Sequence, residues 1–267
     1  MFDIYGTLLI SASGDIDQAN VRSSNLNRAL TESGYAFVET DTKAQDKVAA
    51  RLLDKFLALI KSHQDETRTN GIPYPEVDIR RVWEDLLAFA DNEKLLRRLA
   101  GFNAQKLTFI FELLSNRVWP MPGMKEIIEH FHNCDYPLGI VSNAQFYTPV
   151  MMNYFLTRTT KMDETIEYFD PELTVFSYQL RKAKPDASIF DPMLDALKSK
   201  YGIEAGQAAF VGNDLWKDIY PAKQRGMKTV FFAGDKRSLR LREDKAEVKG
   251  LVHDVVITDL KQLKQIF

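Results

Sequence analysis

The chain has 267 residues, 45% of them hydrophobic and 27% charged, which suits one large globular domain or two smaller ones with a sizeable core. Lys and Arg number 35 against 37 Asp and Glu, and the net charge of -2 leaves no electrostatic footprint for nucleic acid. No apolar run approaches the roughly 18 residues of a membrane span, and a single cysteine, Cys134, excludes an internal disulfide and makes a reducing cytoplasm the expected address.

The chain opens on Asp3-Ile-Tyr-Gly-Thr-Leu8. This string predicts a loop that presents an aspartate at the C-terminal end of a strand. Gly6 lets the backbone approach a ligand, and the Thr7 hydroxyl can fix the turn. Only Met1 and Phe2 precede Asp3, whereas a buried strand usually takes about five residues. The expectation is therefore a truncated first strand or a start that lies further upstream. Residues 11–17 are small and polar and read as a loop or flap, a candidate for substrate selection.

From about Val21 to Trp119 the pattern is helical. Val48, Ala49, Leu52, Leu53, Phe56, Leu57 and Ile60 recur at three- and four-residue spacing, which makes a wide apolar stripe. Val82, Leu86, Leu87 and Ala90 repeat it, as do Leu107, Ile110, Phe111 and Leu114. No alternation of strand type interrupts these residues, and they predict an all-helical bundle.

The pattern changes at Pro120-Met-Pro-Gly123. After a helix through Ile127, Ile128 and Phe131 come five short apolar runs: 137–141, 173–176, 208–211, 229–232 and 255–257. They are continuous rather than alternating, and helical patterns separate most of them. That predicts a parallel sheet buried on both faces. Ligands of such sheets bind beyond the C-terminal ends of the strands. The polar residues there are Asp3, then Ser142 and Asn143, then Asn213, Asp214 and Asp218, with Lys184 ahead of a further helix. An aspartate nucleophile handling an anionic substrate needs a hydroxyl and an ammonium, and further carboxylates where a divalent cation binds. Asp214 and Asp218 are four apart and share a face if their segment is helical. Asp218 also reads as a cap for the helix that follows it.

These strings resemble the four ordered motifs of the haloacid dehalogenase-like hydrolase superfamily: Asp3-Ile-Tyr-Gly-Thr7, Ile140-Val-Ser-Asn143, Lys184-Pro185 and Val211-Gly-Asn-Asp-Leu-Trp-Lys-Asp218. The resemblance implies an α/β fold. Residues 1–15 and 120–267 would form a doubly wound, Rossmann-like parallel core, and residues 16–119 an inserted helical cap closing over it. It implies Asp3 as the nucleophile, with Thr7, Ser142, Asn143 and Lys184 holding the transferred group. It also implies Mg²⁺ bound by Asp3, the Tyr5 carbonyl, Asp214 and Asp218, and a small phosphorylated metabolite as substrate.

One position departs from the phosphatases of that superfamily, which carry a second aspartate two residues after the nucleophile. Tyr5 stands there. A tyrosine, with a pKa near 10, is a poor acid at neutral pH, and loss of a general acid costs roughly 10²–10⁴-fold. The 2-haloacid dehalogenases share the Asp-x-Tyr-Gly-Thr-Leu string and work without a metal, since a halide leaves unprotonated. They use an early cap arginine, for which Arg22 and Arg28 are the candidates. The acidic loop at 213–218 points instead to a metal. The expected function is a Mg²⁺-dependent phosphatase, with a dehalogenase or a non-catalytic phosphate-binding relative as alternatives.

Overall fold

The computed structural model describes residues 1–11, 21–160 and 163–267. Most of the 11–17 loop lies outside the described residues. Contacts divide the chain into two compact units, Met1–Asp15 with Val118–Phe267, and Ile16–Arg117.

The larger unit is built on a parallel sheet. Its strands are Ile140–Ser142, Thr174–Phe176, Ala209–Gly212, Lys228–Phe232 and Val255–Ile257. Phe2 completes it, bridging in parallel to Ile140 on one side and to Val211 on the other. The order is thus 174–176, 140–142, Phe2, 209–212, 228–232, 255–257. The chain builds outward from Phe2 in one direction and then returns to build in the other. Parallel neighbours require crossovers, which explains why helices separate these runs in sequence. Phe2 lies at the reversal, where two connections leave in opposite directions and a crevice opens beyond the strand ends.

The strands are apolar throughout because both faces are covered. Val141, Phe210, Ile189, Phe190 and Met193 belong to one buried cluster, to which the helix Asp191–Tyr201 contributes. Each such side chain contributes roughly 1.5–3 kcal/mol of burial free energy. An antiparallel ribbon pairs Leu9–Ser11 with Val118–Pro120, where the chain leaves this unit and returns to it.

The smaller unit contains the helices Ser23–Ser33, Thr42–Thr69, Ile79–Asn92 and Ala104–Ser115. Their starts follow from sequence. The side chains of Asp41, Asp78 and Asn103 accept the first free backbone N–H groups, those of Ala44, Arg80 and Lys106. The apolar stripes meet in one core, where Phe56, Trp83 and Phe111 pack with ring centroids 4.7–5.5 Å apart. One feature corrects the expectation of an uninterrupted helical pattern. Tyr35–Phe37 pairs antiparallel with Leu96–Arg98. Three-residue strands are too short to show alternation. The local signal is Gly34, whose left-handed conformation ends the first helix and releases the chain into the strand.

Candidate functional site

The first loop places Asp3 at the C-terminal ends of two strands. Its backbone N–H donates to Val211 O, and Val141 N–H donates to Phe2 O. Just beyond, the N–H groups of Leu8 and Leu9 both donate to Ile4 O, which closes a tight turn. Gly6 adopts φ +92, and a Cβ there would collide with the Asn213 side chain. Only glycine permits both the conformation and the approach.

Three charged side chains converge here. Lys184 Nζ lies 2.7 Å from Asp3 Oδ1 and 2.5 Å from Asp218 Oδ1, and all three side chains are buried. Ser142 Oγ donates to the same Asp3 oxygen at 2.9 Å. The ammonium also lies 5.4 Å from the centroid of the buried Phe210 ring. Asp3 Oδ2 makes no hydrogen bond among the described residues.

Burial works against the charge of Lys184, but the carboxylates of Asp218 and Asp3 outweigh it and hold the ammonium above its usual range. Burial pushes the Asp218 carboxyl up to about 7. The Lys184 charge opposes that rise, while Asp3 and Asp214 add to it. Burial is thus the main cause of the shift, and the excess negative charge of two buried carboxylates sharing one ammonium adds to it.

Asn143 acts on this group from behind. Its Nδ2 donates to Lys184 O at 3.1 Å, and its Oδ1 accepts the Lys184 N–H at 2.8 Å. Both halves of the amide are thus spent fixing the lysine backbone. Thr7 Oγ1, fully buried, donates to Asn213 Oδ1 at 3.2 Å. The Tyr5 hydroxyl hydrogen-bonds Thr148 Oγ1 at 2.9 Å.

The 213–218 loop separates the two acidic residues that the sequence joins. Asp218 Oδ2 accepts the N–H groups of Asn213 and Asp214, both at 3.0 Å. It therefore binds upstream backbone and does not cap the helix that follows. Asp214 does the capping, accepting from Trp216 and Lys217 N–H at the start of a π-helical turn, Leu215–Ile219. Its other oxygen faces Arg242. Asp3, Ser142, Lys184 and Asp218 come together, and Asp214 turns away. Among the described residues, no group of three or more His, Cys, Asp or Glu side chains is arranged to hold a metal.

Sequence reasoning missed three partners: Thr148, the amide-to-backbone clamp of Asn143, and the segment after the 228–232 strand that carries Ser238, Arg240 and Arg242. The arginine-rich run of that segment, Lys236-Arg-Ser-Leu-Arg-Leu-Arg242, is a visible signal. Arg28 pairs with Glu32 at 2.5 Å on an exposed helix surface of the smaller unit.

A family model described as haloacid dehalogenase-like hydrolase matches residues 51–232. Two curated relatives are glyceraldehyde 3-phosphate phosphatases. That of Pyrococcus abyssi is 30% identical over 42% of this chain and 42% of its own. That of Pyrococcus furiosus is 27% identical over 62% of this chain and 58% of its own. The chain thus spans about half the length of each. Among solved structures, a 2-haloacid dehalogenase from Pseudomonas syringae pv. Tomato DC3000 aligns with a TM-score of 0.57 at 19% identity, over 99% of this chain and 95% of that one. A HAD phosphatase from Thermococcus onnurineus aligns at 0.50 and 20%, with the same coverage. These two show the mixed α/β fold.

Proposed function

We propose that this chain, which belongs to the haloacid dehalogenase-like hydrolase family, hydrolyses a small phosphate monoester through a covalent intermediate on Asp3. In this reading residues 1–15 and 120–267 are a doubly wound catalytic core, and the helical unit is its cap. The observation that carries the proposal is the position of Lys184 Nζ, within 2.7 Å of Asp3 and 2.5 Å of Asp218, with one Asp3 oxygen left uncommitted. The names of the two Pyrococcus relatives support a phosphate ester as substrate.

Asp3 Oδ2 attacks the phosphorus, and the bond from phosphorus to the ester oxygen breaks, its electron pair leaving on the alkoxide oxygen, which takes a proton from solvent. Ser142 and Lys184 hold Oδ1, which fixes the rotation of the carboxylate and presents Oδ2. Water then attacks the phosphorus of the aspartyl phosphate, releasing inorganic phosphate and restoring the carboxylate. The Lys184 charge offsets negative charge on the transferred group in both steps.

The donor set fits Mg²⁺ in part. This ion is commonly held by one or two carboxylates together with substrate phosphate oxygens. Asp3 and Asp218, both reached by one ammonium, supply such a pair, with the Tyr5 carbonyl in the same loop as Asp3. Asp214 falls outside it, because four donors occupy its two oxygens and the Arg242 guanidinium already neutralises its charge, whereas Asp218 shares the Lys184 ammonium with Asp3. When bound, the cation supplies neutralisation of the transferred phosphoryl group.

Tyr5 supplies no acid for the leaving group, so good leaving groups are favoured. The same observation supports a second reading, hydrolysis of a carbon–halide bond, in which the halide needs no proton. A hydrolysis screen separates the two. Phosphate esters and 2-haloacids are each tested with Mg²⁺ and with EDTA, beside an Asp3→Asn control. Phosphate release that needs both Mg²⁺ and Asp3 supports the first reading. Halide release indifferent to EDTA replaces it with the second, and the absence of both activities refutes the hydrolase reading.

A further inference from the structure

Asp214 and Asp218 belong to one short motif but are held by different parts of the chain. Asp218 faces Lys184. Asp214, 5% exposed, places Oδ2 against both Nε and Nη2 of Arg242, at 2.9 and 2.7 Å, while Oδ1 accepts two backbone N–H groups. Four donors on two oxygens leave little capacity for a cation, and the guanidinium already neutralises the charge.

Arg242 ends a strap, residues 235–242, that runs along the 213–218 loop. Arg240 N–H donates to Asn213 O at 3.1 Å, and Leu215 N–H donates to Arg240 O at 2.9 Å. Asn213 Nδ2 donates to Ser238 O. Ser238 is itself buried, and its Oγ donates to Asp235 Oδ2 at 2.6 Å. The strap therefore grips Asn213, Asp214 and Leu215 in succession. Of these, Asn213 and Asp214 donate their N–H groups to Asp218 Oδ2, and the Asn213 side chain accepts from the Thr7 hydroxyl.

We infer that Arg242 is a positioning residue. Acting through Asp214, it holds the 213–218 loop so that Asp218 is aimed at Lys184 and Asn213 at Thr7, and Asp214 serves as the partner of Arg242 instead of as a ligand for the cation. This rests on the hydrolase reading for its effect on turnover, but the clamp itself does not. Removing the guanidinium strands a buried carboxylate, and the loop relaxes to solvate it. Partners one layer behind a reacting group typically alter activity 10–100-fold when lost.

The test uses the full chain carrying Arg242→Ala, Arg242→Lys, Asp214→Asn, Asp218→Asn and the pair Asp214→Asn with Arg242→Ala. Hydrogen exchange is read at the amides of residues 213–218, Mg²⁺ binding by calorimetry, and turnover on p-nitrophenyl phosphate. The clamp requires the 213–218 amides to exchange at least about tenfold faster in both Arg242→Ala and Asp214→Asn, while protection of the 228–232 strand stays unchanged. It also requires kcat to fall about 10–100-fold with KM nearly constant, partial recovery in Arg242→Lys, and a double variant no worse than either single one. Mg²⁺ affinity should fall far more in Asp218→Asn than in Asp214→Asn. Unchanged loop exchange in Arg242→Ala overturns the inference, as does loss of Mg²⁺ binding in Asp214→Asn that Arg242→Ala does not reproduce. A wild type with no turnover refutes the hydrolase reading alone, since loop exchange still decides the clamp.

Discussion

Lys184 Nζ lies 2.7 Å from Asp3 Oδ1, both side chains buried, although the two residues are 181 positions apart in the sequence. Removing this ammonium leaves Asp3 and Asp218 buried with no cation between them. Lys184→Met is expected to destabilise the fold by about 3–5 kcal/mol and to abolish turnover. Adding Asp218→Asn should recover much of the stability and none of the activity. Urea unfolding of both variants beside the wild type measures it, and a fully stable Lys184→Met would contradict the description of this triad.

The Asp218 carboxyl, pushed up to about 7, gives stability and activity opposite pH trends. Its folded pKa lies above the unfolded carboxylate value near 3.9. The folded state therefore binds the extra proton between about pH 4 and 7, and stability falls as pH rises through that window. Turnover needs the ionised form to hold Lys184, so kcat/KM should fall as pH drops through about 7, with a single apparent ionisation of the coupled group. The pH profile of Asp218→Asn should lack that step.

Gly212 packs directly against Asp218, so that a Cβ at residue 212 would lie 2.6 Å from Asp218 Cγ and Oδ2. Gly212→Ala is expected to displace this carboxylate. A misplacement on the order of 1 Å costs roughly 10²-fold in rate. Gly6→Ala should show a similar loss together with about 1–2 kcal/mol of backbone cost at φ +92. Steady-state kinetics and denaturant unfolding separate the two effects, and a fully active Gly212→Ala would contradict the tight packing.

Tyr5 stands where an acid would serve, and its hydroxyl is tied to Thr148. Tyr5→Asp is expected to raise turnover of esters with poor leaving groups by up to about 10²-fold and to change those with good leaving groups little. The ratio of kcat/KM for an alkyl phosphate and p-nitrophenyl phosphate reads this directly. An unchanged ratio means that proton donation does not limit the reaction.

Much of the core was legible because it follows from local rules. The apolar runs ending at Ser142 and near Gly212 read as parallel strands, since a sheet covered on both faces needs continuous hydrophobicity. Asp3 and Ser142 were legible because ligands of such sheets meet strand ends, Lys184 from the Lys-Pro pair ahead of a helix, and the structure brings the three together. The spacing of Asp214 and Asp218 was a poorer guide. Four residues apart implies one face of an α-helix, but the segment begins with a capping turn and continues as a π-helical turn, so the side chains diverge. The hold of Asn143 on the Lys184 backbone, and that of Arg242 on Asp214, join residues about 41 and 28 positions apart. No local periodicity encodes such contacts. The ribbon of Tyr35–Phe37 with Leu96–Arg98 escaped for the simpler reason of its length.

The most direct measurement is mass spectrometry of acid-quenched enzyme during turnover of a phosphate ester. The peptide bearing Asp3 should carry one phosphoryl group, labile to hydroxylamine as an acyl phosphate is, and absent from Asp3→Asn. An unmodified peptide during active turnover, or turnover that survives in Asp3→Asn, would contradict covalent catalysis by Asp3.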